Sequence, residues 1–339
     1  MVNFRDREKA RQTVLKQNRA LFSGEAQGDG SYGGNRYSFC LGGSVPGENL
    51  YSGIRGPAIE YFKQRKIDWH GGEQREVPCD LPSRHLCCSQ SMCVNSLFPL
   101  REEPDLLVNV LTRLDYPVLE PLPFNPDGDC FNEPGYVAFE WIGLRNYLNE
   151  RSRGRIASDL GRTRGVGFTS ADFAIRFKRT DGQVQIVLGE WKYTECYGDR
   201  SIQRSKSGTN RLNIYKDSLT APDCPVKWAN VGVESLFFEP FDQMMRMQLL
   251  ARAMERAGEL SATIVSVLHV APSANRELML GVASPLKPIG RDIHEVWTAL
   301  VHRERFKGVD TQRVVGLLTE HTVRREWADY MRIRYGAME

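Results

Sequence analysis

Apolar and polar positions follow different periods in successive stretches of the chain. Residues 5–22 are mostly polar at helical spacing and predict a polar helix. From Gly24 to Gly56 ten residues are glycine, which predicts loop or a loosely ordered arm. Pro57 stands where a helix can begin, with Ile59, Tyr61 and Phe62 behind it. Helical spacing returns over 89–97 and 104–114, the second carrying Leu106, Leu107, Val110 and Leu111 on one face, and both are expected to cover a sheet. Strand-like runs follow at 136–142, 170–177, 184–194 and 262–271, with helical patterns at 211–219 and 241–254 between the last two. Ile293, Val296, Trp297, Leu300 and Val301 predict a helix over 292–305, and another helix closes the chain. Three strands, a helix and a strand make a mixed α/β core. The expected organisation is a helical and Gly-rich region over 1–100, the α/β core over 101–285 and a helical segment over 286–339.

Composition narrows the class. With 41% hydrophobic and 26% charged residues among 339, the chain has apolar mass for one large or two smaller domains, which excludes disordered and fibrous architectures. The longest apolar run, around Ile264–Val270, is barely half of the roughly 20 residues that cross a bilayer. The start, Met1 to Asp6, has no apolar stretch behind its charges, so the expectation is a cytoplasmic protein without a secretory signal. Eight cysteines are then expected as thiols.

A net charge of +3 does not by itself argue for nucleic acid, but its distribution is uneven. Arg151, Arg153, Arg155, Arg162 and Arg164 crowd a Gly-containing segment against a single acid, Asp159. Arg200, Arg204, Lys206 and Arg211 form a second basic stretch, and Arg324, Arg325, Arg332 and Arg334 a third. Such clusters suit phosphate contact, but solvated loops and helix faces carry them more often.

The chemistry concentrates in Thr169–Phe177, Asp181-Gly182 and Gln185–Tyr193. These read as a β-hairpin with a carboxylate, Asp172, on one strand and Glu190-Trp191-Lys192 ending the other. Residues two apart on a strand share a face, so Lys192 stands beside Glu190. Whether Asp172 joins them depends on the turn. A two-residue turn at Asp181-Gly182 places Asp172 opposite Trp191 and on the wrong face, whereas a three-residue loop with Gly182 left-handed places it opposite Glu190. The apolar pattern favours the first, through Ile175–Leu188 and Phe177–Ile186 pairs, and a bulge at Gly189 would reconcile the two.

At these residues the chain resembles the PD-(D/E)XK nuclease superfamily, whose restriction-endonuclease-like αβββαβ core carries an Asp on one strand and a Glu/Asp-x-Lys on its neighbour. Ala171 stands where that family commonly has Pro. The resemblance spans about 136–271 and implies an Mg²⁺-dependent endonuclease, with Mn²⁺ as substitute, acting on DNA, with RNA the weaker alternative, in restriction or defence. Asp172 and Glu190 would bind the metal, and Lys192 would orient water or stabilise charge. Families of this kind add an upstream acid; Glu140 is the first candidate and Glu103 its competitor. A polar residue of the following helix would reach the scissile phosphate, the choices being Arg211, Tyr215, Asp242, Gln243, Arg246 and Gln248. The basic loop of Arg153, Arg155, Arg162 and Arg164 would grip flanking phosphates. Cutting both strands with one site per chain calls for a homodimer.

Two other classes compete. A catalytically inactive member would keep the fold as a nucleic-acid-binding or interaction module. A zinc-stabilised protein would use Cys79, His85, Cys87, Cys88 and Cys93, although their spacing lacks paired C-x2-C knuckles and suits buried thiols better. No Gly-Lys-Ser/Thr phosphate loop, His-Glu-x-x-His motif or Gly-x-Ser-x-Gly elbow occurs.

Overall fold

The computed structural model describes residues 2–70, 79–124, 135–152, 155–156, 168–205 and 208–338. The first helix, α1 (Phe4–Leu15), is capped by the Asn3 side chain, which accepts from Asp6 N at 2.8 Å. It stops earlier than the predicted residue 22, where the Asn18 side chain accepts from Ala20 N in a turn. Its polar face is also not a solvent face: Glu8, Gln12 and Lys16 are buried, and Lys16 Nζ donates to the carbonyls of Gly28 and Cys40.

The glycine-rich stretch holds an antiparallel hairpin, β1 (Asp29–Tyr32) and β2 (Asn35–Leu41), which corrects the expectation of a loop. Helix α2 (Ser52–Gln64) begins a turn before Pro57, which lies inside it. Helices α3 (Ser89–Leu97) and α4 (Pro104–Arg113) follow at the predicted places.

The central sheet takes its strands from both sides of the predicted core. Strands β3 (Val118–Leu122) and β4 (Val137–Trp141) both pair antiparallel with β7 (Ala171–Arg179), β4 along its first half and β3 along its second. Between β4 and β7 the backbone makes a minimal ladder, β5 (Arg151–Ser152) with β6 (Arg155–Ile156). Next come β8 (Val184–Trp191), antiparallel to β7, then α5 (Leu212–Thr220), α6 (Phe241–Ala257) and β9 (Ile264–Ala271), which returns parallel to β8. After α7 (Arg276–Met279) and α8 (Ile293–Leu300), β10 (Phe306–Asp310) adds a parallel edge to β9, giving a six-stranded mixed sheet. Two helices, α9 (Thr311–His321) and α10 (Arg325–Tyr335), end the chain.

The run α4, β4, β7, β8, α6, β9 is the αβββαβ core expected of the restriction-endonuclease-like class. The all-helical reading of 286–339 is corrected by β10, whose five residues are too few to show a period, and α8 stops at Leu300 rather than 305. Burial on both sides explains the strands' continuous apolar runs. Phe173, Ile175, Phe177, Val187 and Trp191 face α3, α4, α9 and α10, while Ala174, Ile186 and Leu188 face α6 and α8.

Candidate active site

Hairpin geometry decides which face Asp172 takes. Arg179 N donates to Gln183 O at 2.8 Å and Gly182 N to Arg179 O at 3.0 Å, with Gly182 at φ +84°. This is the three-residue loop, whose left-handed position suits glycine. Pairing then runs without a shift from Lys178–Val184 to Phe173–Gly189, which leaves Asp172 opposite Glu190. No bulge occurs along this ladder. Gly189 has a different purpose: the Phe173 ring lies against its Cα, where a Cβ would come within 2.0 Å of the ring. The neater apolar pairs were uninformative because both faces of these strands are buried, so a slip exchanges one apolar set for another.

The same register aligns β4. Phe139 opposes Phe173 and Trp141 opposes Ala171, so Glu140 and Asp172 occupy the facing positions between. Glu140 has φ +49°, a conformation outside the ladder that an unbranched polar residue tolerates at a cost. Glu140, Asp172 and Glu190 therefore form a row of carboxylates across three neighbouring strands. Glu103, the competing acid, instead pairs with Arg324 on the surface.

Each member of the row is fixed. Glu140 accepts from Gln90 Nε2 at 3.0 Å and Ser170 Oγ at 2.8 Å. Asp172 accepts from Trp191 N at 2.6 Å, and Glu190 from Lys192 Nζ at 2.7 Å. Among the described residues no protein donor meets the other oxygen of Asp172 or of Glu190. Burial, and then the charges of Glu190 and Glu140, push the Asp172 carboxyl well above the usual carboxylate range. Burial works against the Lys192 ammonium, but Glu190, Tyr197, Glu195 and Asp172 together outweigh it and hold the charge firmly. Gln243 on α6 accepts a second hydrogen bond from Lys192.

Row and helix enclose a cleft of about 320 Å³ lined by His70, Glu140, Asp172, Glu190, Gln243 and Arg246 among others. Lys192 lies just behind this lining and reaches it through Glu190 and Gln243. Of the helix candidates, Gln243 and Arg246 come to the cleft. Arg246 is held by Asp242 at 2.9 Å, which also anchors Arg211 at 3.2 Å. Tyr215 turns to Glu150, and Gln248 is buried. Arg153, Arg162 and Arg164 lie outside the described residues, as does the side chain of Arg155.

His70 was not apparent in the sequence, because its place at the cleft comes from a strandless segment brought in by Gln90, which accepts from His70 N at 2.9 Å. Burial alone would lower its pKa, yet the hydrogen bond to Cys88 and the charge of Glu140 lift it to about 9. The other cysteines do not join it. His85 Nδ1 accepts from Cys87 N at 3.0 Å and its ring stands between Tyr32 and Phe39, while burial raises the thiols of Cys87 and Cys93. Cys79 donates to Leu81 O.

Among the described residues no three His, Cys, Asp or Glu side chains form a ready coordination shell. The donor set nonetheless suits a hard cation: two carboxylates with open oxygens, in a row whose mutual repulsion a divalent charge would relieve, match the way Mg²⁺ binds through one or two carboxylates and completes its shell with water and phosphate. Among the described residues no helix is long and apolar enough to cross a membrane.

No curated protein and no solved structure matches the chain. A family described as restriction endonuclease associating with ARP matches residues 8–336. That match takes in the hairpin, the carboxylate row and the helices on both sides of the sheet, and the chain belongs to this restriction-endonuclease family.

Proposed function

We propose that the protein is a Mg²⁺-dependent endonuclease of the PD-(D/E)XK type that hydrolyses phosphodiester bonds of DNA, with Mn²⁺ as a substitute metal. The observation that carries this reading is the alignment of Glu140, Asp172 and Glu190 across three adjacent strands, with Lys192 held between Glu190 and Gln243. Asp172 and Glu190 hold the metal, which when bound polarises the phosphate and lowers the pKa of a water. Glu140 stays outside, anchored by Gln90 and Ser170, and keeps the row's potential negative. Lys192 pairs with Glu190 and places a fixed positive charge next to the site of attack, where the transition state gathers negative charge. Arg246, fixed by Asp242, faces the cleft from α6 and receives a phosphate oxygen. Two copies acting together cut both strands.

A plasmid-nicking assay with Mg²⁺ or Mn²⁺, beside calorimetric metal titration, tests this. Glu190→Ala is expected to lose metal binding and cleavage together. Lys192→Ala is expected to retain metal binding, since an ammonium is not a ligand, while cleavage falls by orders of magnitude. Wild-type cleavage by Lys192→Ala would remove the motif from catalysis. A wild type that binds DNA but cleaves no DNA or RNA would instead favour the inactive, nucleic-acid-binding reading.

A further inference from the structure

A second and larger cleft, of about 970 Å³, opens at the other end of the sheet. Asp172 is the second residue of β7 and Arg179 its last, so the two clefts are separated by about 23 Å of strand. Nothing in the proposed nuclease chemistry uses this region, and its construction is unlike a packing defect. Gln185 and Ser266 lie on the two central strands with 2% exposure each, on the face that elsewhere carries Phe177, Val187 and Leu268. They are joined at 2.8 Å, and Arg179 Nη1 donates to Gln185 at 2.8 Å. A carboxamide and a hydroxyl at core positions are costly to bury without a use for their remaining hydrogen-bonding capacity. Tyr116, on the cleft wall, has a buried hydroxyl with no hydrogen-bond partner among the described residues.

The lining combines two further features. Its charge is mixed with a basic excess: Arg179, Arg303 and Lys307 against Asp115 and Glu304. It also carries an aromatic and an apolar element: Lys307 Nζ lies 4.7 Å above the largely buried Tyr116 ring, with Pro117 alongside. Cations beside an aromatic plane, above a floor of amide and hydroxyl groups, match a ligand with a planar heterocycle, polar ring edges and an anionic tail.

We propose that this cleft is a binding site for a nucleoside phosphate, distinct from the catalytic cleft. The base lies against Pro117 and the edge of Tyr116, its own edge meets Gln185 and Ser266, and the phosphate meets Arg303 and Lys307.

The test is calorimetric titration of the full chain in EDTA with AMP, ATP, adenosine and inorganic phosphate separately, repeated with Arg303→Ala, Lys307→Gln and Glu190→Gln. The expected result is nucleotide binding stronger than that of adenosine or phosphate alone, weakened at least about tenfold by Arg303→Ala, the equivalent of one charge-assisted hydrogen bond, and unchanged by Glu190→Gln. Arg303 is exposed, so its replacement leaves the fold intact even if Lys307→Gln, which removes a bond to Leu114 O, does not. Absence of binding by either nucleotide at millimolar concentration would overturn the proposal. So would affinity that Arg303→Ala leaves intact, or that Glu190→Gln abolishes. A short DNA duplex whose binding depends on Arg303 while nucleotides do not bind would reassign the cleft to a phosphate backbone and equally overturn it.

Discussion

Asp172 is kept in place by a backbone donor while two neighbouring carboxylates oppose its charge. Its folded pKa is raised, so its contribution to stability is fully present below the ordinary carboxylate range and is lost as pH rises through the folded value. At neutral pH the metal-free protein therefore carries a penalty. Asp172→Asn keeps an oxygen for Trp191 N and removes the charge; by differential scanning fluorimetry in EDTA it should raise Tm, and it should abolish the upward Tm shift that Mg²⁺ or Mn²⁺ gives the wild type. A variant that melts lower than wild type in EDTA would contradict the strain in the row. Gly189 offers a contrasting single-residue case: Gly189→Ala forces a methyl into the Phe173 ring and should cost about 1–3 kcal/mol in urea unfolding. Glu190 and Lys192 were legible as a pair because strand periodicity is local, whereas the face of Asp172 depended on the turn. His70, Gln90 and Ser170 were not, since their places depend on contacts up to 50 positions away that no local pattern encodes.

At the scale of elements, the hairpin loop sets the parity of the whole site. Deleting Asp181 to leave a two-residue turn would shift β7 by one position against β8 and carry Asp172 to the opposite face. The expected outcome is loss of metal binding with severe destabilisation, read by calorimetry and circular dichroism; a well-folded deletion variant that still binds metal would show that the loop does not set the register. A second pair of elements makes a pH prediction. His269 on β9 stands opposite Glu190 and meets His294 of α8 at 2.9 Å. Burial, and then His294 and Lys192, hold His269 well below the usual imidazole range, and burial holds His294 at about 4 despite the charges of Asp292 and Asp310. Depressed values mean that stability is intact above the unfolded pKa near 6.5 and falls as pH drops below it, because the unfolded chain then takes up protons the core refuses. His294 alone contributes about 2 kcal/mol of loss by pH 5. Urea unfolding at pH 8 and pH 5 should show it, and His294→Phe should flatten that slope. The strands β7, β8 and β9 and the helices α3, α4 and α6 were readable from period and length. Strands β3 and β10 were not: each has five residues, one carries a proline, and their pairing partners lie far away in sequence.

Across the whole molecule, the two ends of the chain close on the residue that follows the motif. The Tyr193 hydroxyl bonds Glu8 and Gln12 of α1, Gln12 Nε2 and Arg11 Nη2 both donate to Arg334 O of α10, and the Tyr193 and Tyr335 rings meet edge to face. Arg334 itself is fully buried, donating to Asn49 Oδ1, Leu86 O and the Tyr330 hydroxyl. Arg334→Ala would leave those acceptors orphaned and should cost about 3 kcal/mol or more in equilibrium unfolding. This closure orders events during synthesis. Strands β7 and β8 leave the ribosome with more than a hundred residues still to come, and the carboxylate row can pair as soon as its hairpin forms. Tyr193 receives its partner on α10, Tyr335, only when that helix emerges. A growing chain thus carries the acids of a cutting site well before it carries the layer that stiffens their strand, and the two are joined only after α10 has emerged.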